Sequence, residues 1–92
     1  MKNDRDVDVT SVKPLDGYRL WFRFSDGCEG IEDLSGMIAE GGPMVEPLRD
    51  PLLFARVFIS LGASTWPNGF DVDAINLHQE MGRNGRLKKA AA

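Results

Sequence analysis

Cysteine and histidine are scarce in this sequence, where Cys28 and His78 are the single residues of their types. One cysteine cannot form a disulfide within the chain, and one residue of each type cannot build the usual zinc site of cysteines and histidines. We therefore expect a domain that folds without a metal ion or a cofactor. Its stability has to come from apolar packing, either within the chain or against a second subunit.

Long apolar runs are also missing. No stretch reaches the length of a membrane-spanning helix or of a signal-peptide core, and the overall composition is that of an ordinary soluble protein. A chain of 92 residues fits one domain with a modest core and is too short for a deep cofactor cleft. These features predict a single domain in the cytoplasm.

Charge is distributed unevenly along the chain. The net charge is −3, and most acidic residues lie before residue 51, so a general attraction to nucleic acid is not indicated. The end of the sequence is different, because Arg83, Arg86, Lys88 and Lys89 follow Glu80 with no acidic residue among them. We expect a domain over residues 1–82 and a basic, disordered tail over residues 83–92, which could also contact phosphates.

Alternation of apolar and polar residues predicts a three-stranded meander near the start of the chain. Asp-Gly dipeptides at residues 16–17 and 26–27 separate the strands and are favoured in two-residue hairpin loops. Counting from loops of that length pairs Val9 with Phe24 and Phe22 with Ile31. The three strands then share one apolar face, which we expect to form the core.

The opposite face of the meander holds the candidate interaction surface. The same count places Val12 across from Trp21, with Arg19 and Arg23 on either side of the indole ring. Trp and Arg are enriched in protein interfaces, and the combination also suits an acidic peptide or single-stranded nucleic acid. A second interpretation is that the C-terminal helix covers Val12 and Trp21 and makes them a second small core.

The remainder of the chain predicts short helical turns, a second hairpin and one longer helix. Ser35 is a candidate cap for a first helical turn, and Asp50-Pro51 is typical of the start of another. Strand patterns over residues 57–61 and 64–66 follow, and a helical apolar stripe ends at Gly82. The predicted fold is α+β, with a mostly antiparallel sheet of about five strands in two hairpin groups and a C-terminal helix.

Residues that could carry catalysis are few. Cys28 with His78 could be imagined as a thiol and its base, but Asp26 and Glu29 oppose formation of the thiolate. His78 lies at the edge of a helical apolar stripe, a position typical of a partly buried histidine bonded to a carbonyl. The three acidic residues of segment 29–33 could gather magnesium, yet alternation divides them between two faces. We expect no catalytic residue and no metal site.

The most specific segment of the chain is residues 66–72, whose sequence is WPNGFDV. Pro67 and the Asn68-Gly69 dipeptide predict a sharp corner between a strand and a helix, anchored by a buried Trp66 and capped by Asp71 or Asp73. This corner explains every residue of the segment without a ligand.

Together with earlier elements, the segment resembles a small bacterial family known as domain of unknown function 2442. The resemblance covers about residues 7–80 and rests on the order and spacing of Tyr18-x-Leu20, Phe24-x-Asp26-Gly27, Asp33-Leu34, Leu48-x-Asp50, Phe54, Trp66-Pro67-Asn68-Gly69, Asp71 and Leu77. It implies a compact α+β unit that occurs alone or joined to a helix-turn-helix, sometimes beside another small protein in a toxin–antitoxin-like arrangement. It implies no catalytic residue.

Two function hypotheses from different classes follow, and an enzyme ranks third. The leading hypothesis is a non-enzymatic protein-binding module, whose partner is another protein or a second copy of the chain in a homodimer. It rests on the family resemblance and on the surface around Trp21. The alternative is a nucleic-acid-associated transcriptional regulator that uses Arg19, Arg23 and the basic tail.

Overall fold

Two antiparallel sheets form the frame of the protein in the computed structural model, which describes residues 7–90. One sheet has four strands in the order β1-β2-β3-β7, and the other has three in the order β4-β5-β6. The elements are β1 (Val9–Leu15), β2 (Arg19–Phe24), β3 (Cys28–Asp33), α1 (Ser35–Glu40), a 3₁₀ turn (Glu46–Arg49), α2 (Pro51–Phe54), β4 (Phe58–Ser60), β5 (Ala63–Thr65), β6 (Asp71–Val72), α3 (Ala74–Arg83) and β7 (Lys88–Lys89).

The α+β prediction is confirmed, including the meander, the second hairpin and the C-terminal helix. The short strands β6 and β7 were not foreseen, and the two hairpin groups lie in separate sheets, where one sheet of about five strands was predicted. Within residues 7–90, no helix is long and apolar enough to cross a membrane.

The first loop of the meander is one residue longer than predicted. Leu15 pairs with Arg19, so the loop includes Tyr18, which adopts a φ of 62°. An irregularity between Val9 and Ser11 then offsets the shift, and the predicted pairing of Val9 with Phe24 is confirmed. The added residue is tolerated because the Tyr18 side chain is anchored: its ring packs on Phe54 with centroids 5.2 Å apart, and its hydroxyl donates to the Arg49 carbonyl.

The longer loop corrects the placement of Val12. Between the loop and the irregularity, Val12 pairs with Phe22 and packs against the core, while Lys13 is the residue opposite Trp21. The prediction that Val12 lies across from Trp21 is therefore wrong. A loop of three residues instead of two changes the partner of every residue up to the irregularity.

The second loop is also one residue longer, and it changes the outer strand. Gly27, with a φ of 87°, closes a turn in which its amide donates to the Phe24 carbonyl over 3.0 Å. Phe22 therefore pairs with Gly30, and Ile31 pairs with Trp21. The predicted pairing of Phe22 with Ile31 is wrong, and Ile31, which is 40% exposed, lies opposite Trp21 on the outer face.

The core lies between the inner face of the larger sheet and the segments that follow it. Its fully or almost fully buried side chains are Val9, Leu20, Phe22, Phe24, Leu48, Trp66 and Met81. Trp66 is completely buried, its Nε1 donates to the Phe54 carbonyl at 2.9 Å, and Gly69 has a φ of 92°, as the turn predicted at Asn68-Gly69 requires. This turn joins β5 to β6, which pair antiparallel, so the prediction that it leads from a strand directly into a helix is wrong. Such a buried indole stabilises the domain because its apolar ring is removed from water and its N–H has a hydrogen-bond acceptor.

Side-chain caps define the starts of two helices. Asp73, one of the two predicted candidates, accepts a hydrogen bond from the Asn76 amide at 2.9 Å at the start of α3, and Asp50 accepts from Leu52 at the start of α2. Ser35 begins α1 without acting as its cap. Its own amide instead donates to Asp33 at 2.8 Å.

The basic segment after α3 returns to the larger sheet. Lys88 and Lys89, which belong to the tail expected over residues 83–92, form β7 and pair with Glu29 and Cys28 of β3. Residues 91 and 92 of that tail lie outside the described residues. The close approach depends on Gly30, because a Cβ at this position would lie 2.0 Å from the Arg86 carbonyl oxygen. The return of the chain brings positive charge to the edge of the sheet beside Trp21.

Candidate functional site

Trp21 lies on the outer face of the larger sheet, between two cations. The Lys13 ammonium nitrogen is 5.4 Å from the centroid of the indole ring, and the Arg23 guanidinium carbon is 5.7 Å from it. Both distances are within the range of cation–π attraction. Lys13 lies beside the ring because it pairs with Trp21 across β1 and β2. Arg23 lies beside it because residues two apart in a strand are on the same face of the sheet.

Glu29 fixes the orientation of this cluster from the neighbouring strand. One carboxylate oxygen lies 3.0 Å from Arg23 Nη2, and the other accepts a hydrogen bond from Trp21 Nε1 at 3.4 Å. The hydrogen bond from Arg23 is the main reason that the pKa of Glu29 lies below its usual range. Partial burial raises this pKa, and the hydrogen bond from Trp21 lowers it further. The carboxylate is therefore ionised at neutral pH and holds both partners in place.

A groove of about 310 Å³ runs between the indole and the returning basic segment. It is lined by Trp21, Glu29, Gly30, Ile31, Arg86 and Lys88. Lys13, Trp21, Arg23, Glu29 and Ile31, together with Arg86 and Lys88, are called the Trp21 face below. This face combines an indole, an exposed aliphatic side chain and several cations around one paired carboxylate.

The sequence-predicted surface is only partly brought together. Trp21 and Arg23 are adjacent as expected, whereas Val12 belongs to the core side of the sheet. Arg19 lies further along β2, and its Nε donates to the Asp16 carbonyl at 3.0 Å, so it supports the first loop. Lys13 was missed because the first loop is one residue longer than predicted. Arg86 and Lys88 were named as part of the basic tail, but their position beside Trp21 was not predicted.

Helix α3 packs on the opposite side of the sheet from Trp21. Its Leu77 and Met81 are buried in the same core as Phe22 and Phe24, and Trp21 is not a member of that core. The interpretation in which α3 covers Trp21 is therefore wrong. The ring is half-buried on the outer face, beside the groove that it shares with Arg86 and Lys88.

A second cluster joins Asp26, Cys28 and His78 at the end of the second loop. Asp26 Oδ2 lies 2.8 Å from His78 Nε2, and Asp26 Oδ1 accepts from the Cys28 amide at 3.0 Å. The Cys28 sulfur, a carboxylate oxygen and an imidazole nitrogen all lie within 4.8 Å of one another. The His78 ring also meets Phe24 edge-on, with centroids 4.9 Å apart, so its plane is fixed by the core.

The electrostatics of this cluster do not activate the thiol. Burial raises the pKa of Cys28, and the Asp26 carboxylate raises it further, while Lys89 acts weakly in the opposite direction. The carboxylate lies between the thiol and the imidazole, whereas a nucleophilic arrangement places the imidazole next to the sulfur. The cluster therefore lacks both the lowered thiol pKa and the thiol–imidazole contact of a nucleophilic site.

A hollow of about 360 Å³ lies at the other end of the larger sheet. It is lined by Pro14, Leu15, Asp16, Gly17, Tyr18, Pro51, Phe54 and Ala55. The aromatic contact between Tyr18 and Phe54 forms part of this lining. With mainly apolar walls and no basic side chain among them, it offers less chemistry than the Trp21 face.

Comparison with known proteins places the chain in a family without assigning an activity. A family model described as protein of unknown function (DUF2442) matches residues 9–80 of the 92-residue chain, from β1 into α3. Neither the curated proteins nor the solved structures contain a match. The family match confirms the resemblance carried by the sequence, and it ends before the returning strand β7. The chain belongs to the DUF2442 family of proteins of unknown function.

Proposed function

We propose that the domain is a non-catalytic binding module whose Trp21 face receives an acidic segment of a partner protein. The observation that carries this proposal is the half-buried indole held between Lys13 and Arg23 on the sheet face that α3 leaves open. Tryptophan and arginine are the residues most often found as energetic anchors in protein interfaces.

Preorganisation supports a binding role for these residues. Glu29 binds Arg23 and Trp21 at the same time, so neither side chain has to be ordered when a partner arrives. Ordering a long side chain in an interface costs about 0.5–1.5 kcal/mol, and this cost is already met in the free protein. Ile31 extends the face with an apolar surface next to the ring.

The charges of the Trp21 face favour an acidic partner. Its cations come from β1, β2 and the returning segment, and its carboxylate, Glu29, is already paired with Arg23. Lys13, Arg86 and Lys88 are exposed and can form charge-assisted hydrogen bonds with carboxylates. A groove of about 310 Å³ fits one or two side chains of a peptide segment.

Single-stranded nucleic acid is the second candidate, favoured by the position of Arg86 and Lys88 beside an indole that could stack on a base. The net charge of −3 opposes the long-range attraction that most nucleic-acid-binding domains use. For this reason a transcriptional regulator ranks below a protein-binding module.

We place the module in a toxin–antitoxin-like or regulatory pair, an arrangement that the family resemblance implies, and in the cytoplasm, as the lack of long apolar runs predicts. In that setting the acidic segment belongs to the product of a neighbouring gene. A second copy of the chain is the other protein partner to test, since the chain carries acidic clusters of its own.

A titration with three binders at low and physiological salt tests the proposal. The purified chain is titrated with the product of the neighbouring gene, with itself and with a single-stranded oligonucleotide. We expect binding to a protein, weakened by Lys88→Gln and unchanged by Arg56→Gln, a matched loss of exposed charge outside the Trp21 face. Binding to the oligonucleotide alone, with a steep loss as salt rises, would overturn the protein-binding assignment.

A further inference from the structure

We propose that Asp26, Cys28 and His78 form a surface site for a divalent transition-metal ion of the zinc class. The three side chains supply a carboxylate oxygen, a sulfur and an imidazole nitrogen, which are the donor types that zinc takes in proteins. The usual count of cysteines and histidines misses this set because it combines one of each with an aspartate.

The spacing of the donor atoms is close to that around a tetrahedral ion. Metal–ligand distances of about 2.0–2.3 Å separate neighbouring donors by roughly 3.3–3.7 Å. The three donor atoms lie within 4.8 Å of one another, and Asp26 Oδ2 and His78 Nε2 are 2.8 Å apart. A shift of about 1 Å in each of two side chains brings all three to bonding distance.

The backbone holds these donors on one side of the second loop. Asp26 and Cys28 flank Gly27, whose positive φ lets the chain reverse and turns both side chains toward α3. His78 lies within α3, and its ring is fixed against Phe24. The second loop with the start of β3 and helix α3 therefore present the ligands, and ion binding would connect the loop to the helix.

Binding of the ion is balanced by the release of a proton. The Cys28 thiol gives up its proton to water, and its sulfur forms a bond to the ion. The hydrogen bond from His78 Nε2 to Asp26 breaks, the imidazole proton moves to Nδ1 by exchange with water, and the ring then binds the ion through the Nε2 lone pair. The ionised Asp26 carboxylate and the thiolate then balance the two positive charges. No oxidation or reduction occurs, and Asp26 is exposed, so water can complete the coordination.

One neighbouring charge opposes the ion. Lys89 on β7 pairs with Cys28, and its ammonium nitrogen lies 3.4 Å from the Asp26 carbonyl oxygen. Its positive charge lowers the affinity of the site for a cation. Removing that charge should therefore strengthen metal binding, an effect opposite to that of removing a ligand.

Titration of the reduced, chelator-treated full chain with Co²⁺ tests the proposal. Cys28 is the single thiol of the chain, so a thiolate-to-cobalt charge-transfer band reports this site alone. We expect one Co²⁺ per chain, displacement of the band by Zn²⁺, and release of about one thiol proton, measured in buffers of different ionisation enthalpy.

Single substitutions distinguish a built site from a metal held by the thiol alone. Cys28→Ser should abolish the band, and His78→Gln and Asp26→Asn should each lower the affinity about tenfold or more, as outer-shell losses already do at natural sites. Asp16→Asn, in the other Asp-Gly loop, is the matched control and should change nothing, while Lys89→Gln should raise the affinity. Absence of saturable binding, or wild-type affinity in a folded His78→Gln variant, would overturn the proposal.

Discussion

The backbone carbonyl of Arg86 crosses β3 so closely at Gly30 that an added Cβ would lie 2.0 Å from the carbonyl oxygen. The Arg86 amide donates to the Met81 carbonyl at the end of α3 at 2.8 Å. Arg86 is thus held between α3 and β3, and the basic segment returns to the sheet at this point. The cationic edge of the Trp21 face thus depends on a glycine, which has no side chain, at position 30.

Gly30→Ala should therefore detach or distort the returning segment. The obstacle is backbone, which cannot move aside without breaking its hydrogen bonds, so we expect a loss of about 1–3 kcal/mol in the free energy of unfolding. Gly36→Ala in α1, where an added Cβ meets nothing within 4 Å, is the matched control and should be neutral or slightly stabilising. Equal urea-unfolding curves for the two variants would contradict this account of β7.

The turn after Trp66, which joins β5 to β6, is the basis of a second prediction. Gly69 adopts a φ of 92°, which a β-branched residue tolerates poorly, so Gly69→Val should destabilise the fold by about 1–3 kcal/mol. Gly69→Asn should cost much less, because asparagine accepts positive φ more readily. Thermal unfolding measures the difference. Similar melting temperatures for the two variants would show that backbone conformation is not the constraint at this position.

Acid should weaken the link between the second loop and α3. Burial by itself raises the pKa of Asp26, but hydrogen bonds from the Cys28 amide and from His78 outweigh it and hold the pKa below its ordinary value of 3.8. A lowered pKa adds stability that is fully present above that value and is lost as the pH falls through the folded-state pKa.

Unfolding of wild type and Asp26→Asn in chelator-containing buffer measures that contribution. Between about pH 5 and pH 2, the wild type should lose more stability than the variant, because the variant has no carboxylate to protonate at this position. Other carboxylates titrate alike in both chains, so the difference isolates Asp26. Parallel curves over this range would mean that the contact with His78 adds nothing to stability.

Cys28 should be dispensable for the fold and for partner binding. The chain has a core of apolar side chains that does not include this half-buried thiol, so the chelator-treated wild type and Cys28→Ser should both unfold cooperatively at similar temperatures. Cys28→Ser should also bind the protein partner as the wild type does, since the thiol is not part of the Trp21 face. A folded variant that no longer binds would link the two clusters and contradict this separation.

The sequence predicted the strands better than their register. Alternation located β1 to β3, and the Asp-Gly dipeptides located both loops, but neither dipeptide specifies whether its loop has two residues or three. Tyr18 decides the first loop through contacts with Phe54 and Arg49, which are distant in sequence. For this reason the buried Trp66 and the turn at Asn68-Gly69, determined by local turn chemistry, were predicted correctly, whereas the short strand β6 after that turn and the partner of Val12 were not.

Of the candidate site, the sequence predicted the residues that lie on one strand but not those that tertiary contacts bring to it. Trp21 and Arg23 share a face by strand periodicity alone, which a sequence shows directly. Arg86 and Lys88 reach that face only because the chain crosses Gly30, a tertiary contact that no local pattern indicates. The grouping of Asp26 with His78 likewise spans 52 positions and depends on how α3 packs.

Trp21→Ala tests the central claim most directly, through the dissociation constant of the complex with the protein partner. We expect a loss of about 2 kcal/mol or more, close to thirtyfold in affinity, in a chain whose urea unfolding is little changed. Phe58→Ala, which removes another aromatic side chain with 45% exposure on the smaller sheet, should bind as the wild type does. Wild-type affinity in Trp21→Ala, or a loss of roughly 3–5 kcal/mol in its free energy of unfolding, would contradict the assignment of Trp21 as a binding anchor.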